Sequence, residues 1–335
     1  MGRKLQITVL VDAPTVPADD RQFESPKGKT STEYHVVEAL RNLGYDVTVV
    51  GAVNDVSALA AKLLERPCDL VFNLTEEFNG DRKLDQGVAA LLELLGLPYT
   101  GSGPTALILC RDKRLCKQLL NLHKIRVPDF LSVPTGKKVH VPKNIHWPLV
   151  VKPAFEDSSE GISNASVVRD ADALAARAKF VHDRWGQAAI AEEYIEGREF
   201  YVTVFGNNQL TVLPIRECAF EGREEGGPLM ATYKVKWDTN FREKWKIRFG
   251  FAELDEKTLH DVTRVCKKVY RALQLRDYGR IDLRLTDAGR IVVLEVNPNP
   301  DLAYGEEVAE SAEKAGINYR QFIERIVRNA LHRYR

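Results

Sequence analysis

No apolar run in this chain approaches the ~20 residues a membrane-spanning helix requires, and the first run, Ile7 to Val11, is too short for the core of a signal peptide. Those absences point to a cytoplasmic protein that does not engage a membrane. The opening "MGRKLQ" has Gln6 where a myristoylation signal needs Ser or Thr, so no lipid anchor is expected. Charge of one sign is missing as well. With 48 basic and 47 acidic residues the formal net charge is +1, which gives no global pull toward nucleic acid or anionic lipid. Any phosphate recognition has to be local. Cys68, Cys110, Cys116, Cys218 and Cys266 are scattered, odd in number and without C-x-x-C spacing, which suits reduced thiols packed as small apolar residues. The His residues show no ligand spacing either, so no structural zinc site is expected. There is no internal repeat and no low-complexity tract.

What is present is a soluble, globular composition: 335 residues, 44% apolar and 28% charged, are enough for two or three subdomains, each with its own core. The first hundred residues alternate strand and helix. "KLQITVLVDAP", "DVTVVGA" and "CDLVFNLTEE" read as strands, separated by the helical "TEYHVVEALRNLGY" and "VSALAAKLLER". That rhythm predicts an α/β unit with a parallel sheet. A polar stretch from Ala13 to Thr32 is long for a connection between a strand and a helix, hence functional or mobile. After Gly103 come a helical stretch, "PTALILCRDKRLCKQLLNLHK", a Pro-punctuated connection, the strand "PLVVKP", the strand "ISNASVV" and the helix "DADALAARAKFVHDRWG". From Ala188 the pattern turns strand-rich, and "AIAEEYIEG", "REFYVTVFGN" and "QLTVLPIRE" read as an antiparallel set. A hairpin from Tyr278 to Asn297 and a final helix, "YRQFIERIVRNALHRYR", close the chain.

Two phosphate motifs fail on inspection. "GKT" at Gly28 lacks the Gly five residues earlier that a Walker loop needs, since Phe23 stands there. "GSGPTA" at Gly101 follows a late, short strand, which is the wrong place for a dinucleotide fingerprint.

The hairpin is more informative. Its second strand, "RIVVLEVNPNPD", carries Glu295 and Asn297 where apolar residues would be expected. With Ala288 and Gly289 as a two-residue loop, residues whose numbers sum to 577 face each other, so Asp282 faces Glu295 and Arg280 faces Asn297. All four side chains then share one face. A three-residue loop would break that register unless a bulge compensated. Facing carboxylates repel unless a cation lies between them, and Asp282, Glu295 and Asn297 supply the hard oxygen donors that Mg²⁺ takes. On the hairpin alone, a surface face with an Arg and Asp pair stays open as the alternative. Lys152 ends an apolar strand ahead of a loop with Ser158, Ser159 and Gly161, a combination that brings backbone N–H groups and a point charge to phosphate oxygens. Lys113 and Lys236 are ambiguous taken singly.

Together these residues resemble the ATP-grasp superfamily and, within it, the D-alanine:D-alanine ligases. The resemblance runs from about Asp69 to Pro300 and is carried in order by "LLELLGLPYTGSG" with "RDKRLCKQLL", "LVVKPAFEDSSEGIS", "EEYIEGREF", "YKVKW" and "GRIDLRLTDAGRIVVLEVN". It implies a three-subdomain architecture, α/β at the amino terminus and α+β in the ATP-grasp part: 1–103, then 104–187, then 188–335 with the metal site. It implies a carboxylate-amine ligase working through an acylphosphate, with ATP and two Mg²⁺ ions, Mn²⁺ being an alternative ion. It also implies a dimer. By position, Lys113 and Lys152 would hold ATP phosphates under the loop of Ser158, Ser159 and Gly161. Glu192 would meet the adenine end, Glu199 the ribose hydroxyls, and Lys236 the γ-phosphate. Asp282, Glu295 and Asn297 would bind the metal ions, and Arg280 would stabilise the acylphosphate and the tetrahedral oxyanion.

The departures concern substrates. The ligases' amino-terminal Gly-Gly and Ser-x-Glu-Arg signature is missing, Glu76 replaces a His, Asp301 replaces an oxyanion-hole Gly, and Glu306 falls near a Ser that binds the acceptor's carboxylate. The reading is therefore an amide-forming ligase for another carboxylate and amine, an amino acid joined to a metabolite, amino acid or peptide. True D-alanine:D-alanine ligase and a non-catalytic ATP-binding regulator are the alternatives.

Overall fold

A computed structural model describes residues 3–12, 31–143, 145–156, 161–220, 230, 232, 235 and 238–335. The alternation of the first hundred residues forms the parallel sheet expected: β1 (Gln6–Asp12) lies between β2 (Asp46–Ala52) and β3 (Leu70–Asn73). Helices α1 (Thr32–Asn42), α2 (Val56–Leu64) and α3 (Asp85–Leu94) flank it. Side-chain oxygens of Ser31 and Asp55 cap α1 and α2 by accepting from backbone N–H groups.

The long helical stretch after Gly103 is two helices, α4 (Pro104–Arg111) and α5 (Lys113–Leu122). They break at Asp112, whose backbone is extended and whose carboxylate accepts from the N–H groups of Arg114 and Leu115 at 2.9 and 3.1 Å. An acid that can cap a new helix competes with continuation of the old one.

The central unit is an antiparallel sheet in the order β4 (Phe130–Val133), β7 (Ala189–Glu193), β5 (Leu149–Pro153), β6 (Val167–Val168), backed by α6 (Ala171–Trp185). Two expectations are corrected here. "ISNASVV" contributes only the two residues of β6 after a 3-10 turn at Asn164–Ser166. "AIAEE" pairs with β4 and β5 rather than with the strands that follow it, so this strand lies on the central side of the division expected at 188. Its inward residues explain the choice, because Ala189 and Ala191 complete a core with Val151, Leu174 and Val181.

The third unit is a six-stranded antiparallel sheet. Its path runs β11 (Ile247–Phe251), β10 (Arg216–Phe220), β8 (Arg198–Phe205), β12 (Tyr278–Leu285), β13 (Ile291–Asn297), with β9 (Thr211–Val212) beside β8. Helix α7 (Thr239–Lys244) precedes β11, and α8 (Glu256–Ala272) packs Val262, Cys266 and Val269 against Phe200, Val202, Ile281 and Leu283. Burying each such side chain contributes about 1.5–3 kcal/mol. With one face so occupied, the other face of β8, β12 and β13 is left to polar residues.

Two last helices follow, α9 (Glu307–Lys314) and α10 (Tyr319–Arg333). The end of the chain returns to its beginning: Phe322, Ile323, Ile326 and Val327 share a core with Val9, Leu40 and Phe72. The amino-terminal unit, the large-sheet unit and the last helix are joined at Asp277, which is fully buried and accepts from Gly101 N at 2.8 Å, Asn207 Nδ2 at 2.8 Å and Arg333 at 3.1 Å. The "GSG" at Gly101 thus has a structural use, since Ser102 N also donates to Asn299 Oδ1 at 3.0 Å and fixes the segment that follows β13. No helix among the described residues is long and apolar enough to cross a membrane.

Candidate active site

Register sets the site. Arg280 faces Asn297 and Asp282 faces Glu295, as expected, while on the other side Asp282 faces Tyr201 and Arg284 faces Glu199 of β8. The turn differs from the two-residue loop. Thr286 pairs with Arg290, so the loop holds three residues, with Gly289 at φ +72°, where a side chain would be strained. A bulge between Asp282 and Leu283 restores the register, and the extra residue on β13 is Leu294. Its carbonyl accepts from Lys117 Nζ at 2.5 Å.

Two polar sheet faces meet around α5. From the central sheet come Lys152 and Glu192, and from the large sheet come Glu199, Asp282, Arg284 and Glu295; all line a crevice of about 60 Å³. Glu192 is held from two sides, by Lys117 at 3.1 Å and by Lys152 at 2.9 Å. Burial alone would raise its carboxyl, but the two ammonium groups outweigh it and hold the group below the usual range. Glu192 in turn pulls Lys152 above the ordinary lysine value against the effect of burial. Glu199 accepts from Arg284 at 3.2 and 2.7 Å and from the Tyr201 hydroxyl at 3.0 Å. Arg284 lies over the Tyr194 ring, 5.1 Å from its centroid.

Lys113 is buried at the start of α5, paired with Glu295 at 2.5 Å and donating to the Glu156 carbonyl. Arg280 binds Asp282 through two nitrogens, at 2.8 and 3.0 Å, and Glu307 through the third, at 2.5 Å. The Asn297 amide donates to Asp282 at 3.3 Å. Gly161 has φ +72°, and an added Cβ would lie 2.9 Å from both Pro153 and Trp185, so only glycine fits. Ser158, Ser159 and Lys236 lie outside the described residues, as do the "GKT" at Gly28 and most of the polar stretch from Ala13 to Thr32.

Beyond Glu295 opens a cleft of about 1020 Å³. Its walls include Glu76, Asp85 and Arg111 from the amino-terminal side, Arg280 and Asn297 from the hairpin, and Asp301, Glu306, Glu307 and Glu310 from the last loop and α9. Arg111 and Asp85 form a buried pair at 2.6 Å, and Arg216 pairs with Glu310 at 2.6 Å. Glu295 lines both cavities.

The structure thus gathers Lys113, Lys152, Glu192, Glu199, Arg280, Asp282, Glu295 and Asn297 around one wall. Sequence reasoning missed three members: Lys117, Arg284 and Glu307. A signal existed for two. Lys117 is one helical turn from Lys113 on the same face of α5, and Arg284 continues the alternation of Arg280 and Asp282 along β12. Glu307 had none, because it reaches the hairpin only through the tertiary placement of α9.

The family model described as D-ala D-ala ligase C-terminus matches residues 119–328. Similar curated proteins include the uncharacterized protein y4sG of Sinorhizobium fredii, 31% identical across 92% of this chain and 89% of its own length. A D-alanine--D-alanine ligase of Bacillus anthracis is 30% identical across 80% of this chain and 83% of its own. Among solved structures, D-alanine--D-alanine ligase from Bacillus anthracis complexed with ATP superposes with a TM-score of 0.75 at 23% identity, covering 98% of both chains. The VanG D-Ala:D-Ser ligase from Enterococcus faecalis gives 0.72 at 18% identity, covering 98% of this chain and all of that one. These superpositions establish the ATP-grasp fold.

Proposed function

Because the chain belongs to the D-Ala-D-Ala ligase family and is an ATP-dependent, ADP-forming carbon–nitrogen ligase, we propose that it joins a small carboxylate to a small amine through an acylphosphate, with substrates other than two D-alanines. The supporting observation is Glu295, which borders both the crevice lined by Lys152 and the large cleft lined by Lys113. A phosphoryl group passing from nucleotide to carboxylate would cross at that wall.

In this reading Lys113 and Lys152 exchange part of their carboxylate pairing for ATP phosphates. Lys117 keeps Glu192 ionised and the helix docked on Leu294. Glu199, fixed by Arg284, and Glu192 stand at the nucleoside side of the crevice. The donor set suits Mg²⁺. Two carboxylates and an amide oxygen share one face, a set of hard oxygen donors. Asp282, Glu295 and Asn297 would hold the ion, which when bound neutralises phosphate oxygens. The protein's own contribution is position and fixed charge: Arg280, oriented by Asp282 and Glu307, offers its guanidinium to the reacting carboxyl oxygen and later to the oxyanion.

The substrates follow from the cleft. Glu306 lines the cleft near the position where the resemblance puts a Ser that binds an acceptor's carboxylate, and a carboxylate there repels it, whereas Glu307 and Glu310 face Arg280 and Arg216. The acceptor is therefore an amine lacking a carboxylate at that end. The test is release of ADP and phosphate with Mg²⁺ while carboxylates and amines are offered in pairs, two D-alanines among them. Turnover with D-alanine alone at the rate of the best pair would restore the D-alanine reading.

A further inference from the structure

Among the acidic residues on the first turn of α9, Glu307 stands apart. Glu310 is tied to Arg216 on β10, away from the hairpin, whereas Glu307 is tied to the arginine that the ligase reading places against the reacting carbonyl. Asp282 occupies Nε and one terminal nitrogen of Arg280; the other terminal nitrogen, Nη1, meets Glu307 Oε2 at 2.5 Å. That nitrogen carries two hydrogens, so it can hold Glu307 with one and the reacting carboxyl oxygen with the other. The attacking nitrogen and that oxygen become bonded to one tetrahedral carbon. A carboxylate sharing the same guanidinium nitrogen is then within reach of the incoming amine, and Glu307 also lines the cleft through which that amine arrives.

We propose that Glu307 is the amine-handling residue of the active site: its carboxylate binds the acceptor's ammonium and takes its proton. The assignment rests on the ligase reading. The ammonium gives its first proton to Glu307, and its freed electron pair forms the C–N bond as the carbonyl π pair moves to oxygen beside Arg280. The oxygen pair then re-forms the carbonyl, the C–O bond to phosphate breaks, and the nitrogen's second proton leaves with the phosphate. Glu307 passes its proton to solvent as the amide departs. No oxidant or further reactant is required.

A purely structural Glu307, there only to hold Arg280, makes a different forecast. Glu307→Gln separates the two, because the amide oxygen still accepts from Arg280 while the side chain can no longer take a proton. The full-length protein is given ATP, Mg²⁺ and a panel of D- and L-amino acids as carboxylates, with either hydroxylamine or a panel of primary amines as nucleophile. Hydroxylamine is unprotonated at neutral pH and needs no base. The variant is expected to lose ~10²-fold or more in amide formation and less than about tenfold in hydroxamate formation. Equal losses with both nucleophiles, or no loss with either, would overturn the assignment. If the Gln variant fails to fold by circular dichroism, Glu307→Asp gives the same split at smaller amplitude, and the lack of a split overturns the proposal. Failure of the ligase reading is seen separately and earlier, as wild-type protein forming hydroxamate from no carboxylate at all.

Discussion

The crevice proposed for the nucleotide and the cleft proposed for the substrates share Glu295 but are built on different plans. In the crevice the charges come from β5, β7, β8, β12, β13 and one face of α5, and they match. Lys117 and Glu192 are 3% and 2% exposed, Arg284 and Glu199 4% and 8%, so each of these buried charges has a partner of opposite sign. In the cleft the charges come from a loop, a helix start and the amino-terminal unit: Arg111–Asp85, Arg216–Glu310 and Arg280–Glu307 are paired, and Glu76, Asp301 and Glu306 add further carboxylates to the lining. Strands and register impose the first arrangement, while the second can change without disturbing the sheet. On the proposed assignment, reaction type is held by the half built on strands, and substrate choice by the half built on loop and helix start.

The largest effect is expected where the halves meet. Glu295→Gln removes the carboxylate proposed to bind the metal ion and the partner of Lys113 together, and should lower ADP release by ~10³-fold or more. The fold, followed by circular dichroism, should persist, because the residue is a partly exposed wall rather than core. Activity within a few-fold of wild type would break the comparison at its hinge.

Next comes the crevice alone. Lys117→Met leaves Glu192 buried with Lys152 as its one remaining cation and deprives the Leu294 carbonyl of its donor. Removing one partner from a buried pair costs about 3–5 kcal/mol, and the surviving lysine argues for the low end. Urea unfolding should show that loss together with weaker ATP binding. A neutral result would mean the charges are not matched as described.

How much of this was legible in the sequence follows the same division. The parallel amino-terminal sheet, α6, α8 and α10 follow from hydrophobic periodicity, and the facing of Asp282 with Glu295 follows from side-chain alternation along a hairpin. The loop length did not, since Gly289 tolerates either turn and the bulge at Leu294 hides the difference. The placement of "AIAEE" in the central sheet was illegible for a different reason. Its apolar alternation suits either sheet, and only its pairing with Leu149–Pro153 decides. Glu307 and the Arg111–Asp85 pair were beyond reach because each joins segments 26 or 27 residues apart that no local pattern connects.

A smaller effect sharpens the cleft side. Glu306→Ser removes an exposed carboxylate from the cleft proposed to take the acceptor, without touching the crevice. The KM for a cationic acceptor should rise several-fold while the KM for ATP stays within about twofold, the pattern of lost ground-state binding. A shift in the ATP value would place Glu306 in the wrong half.

The smallest effect concerns stability against pH, where the two halves should respond with opposite sign. Asp12, at the end of β1, accepts from the N–H of the cleft residue Glu76 at 3.2 Å, but burial outweighs that bond and pushes its carboxyl from the usual value up to about 6. A carboxyl raised in the folded state favours folding fully below its unfolded pKa, and that contribution disappears as pH rises through about 6. Glu192 is the reverse. Its carboxyl is lowered by Lys117 and Lys152 against burial, so its contribution is present above the unfolded value and is lost in acid, as pH falls through the lowered one. Asp12→Asn, which resembles the protonated side chain and keeps an oxygen for Glu76 N, should therefore raise the melting temperature near pH 7.5 and leave it unchanged near pH 4. The gain should be on the order of 1 kcal/mol, because the group is only half-buried and water screens part of the penalty. Paired thermal melts of wild type and variant at the two pH values decide it: an equal shift at both would mean that packing, not charge, governs this edge of the cleft.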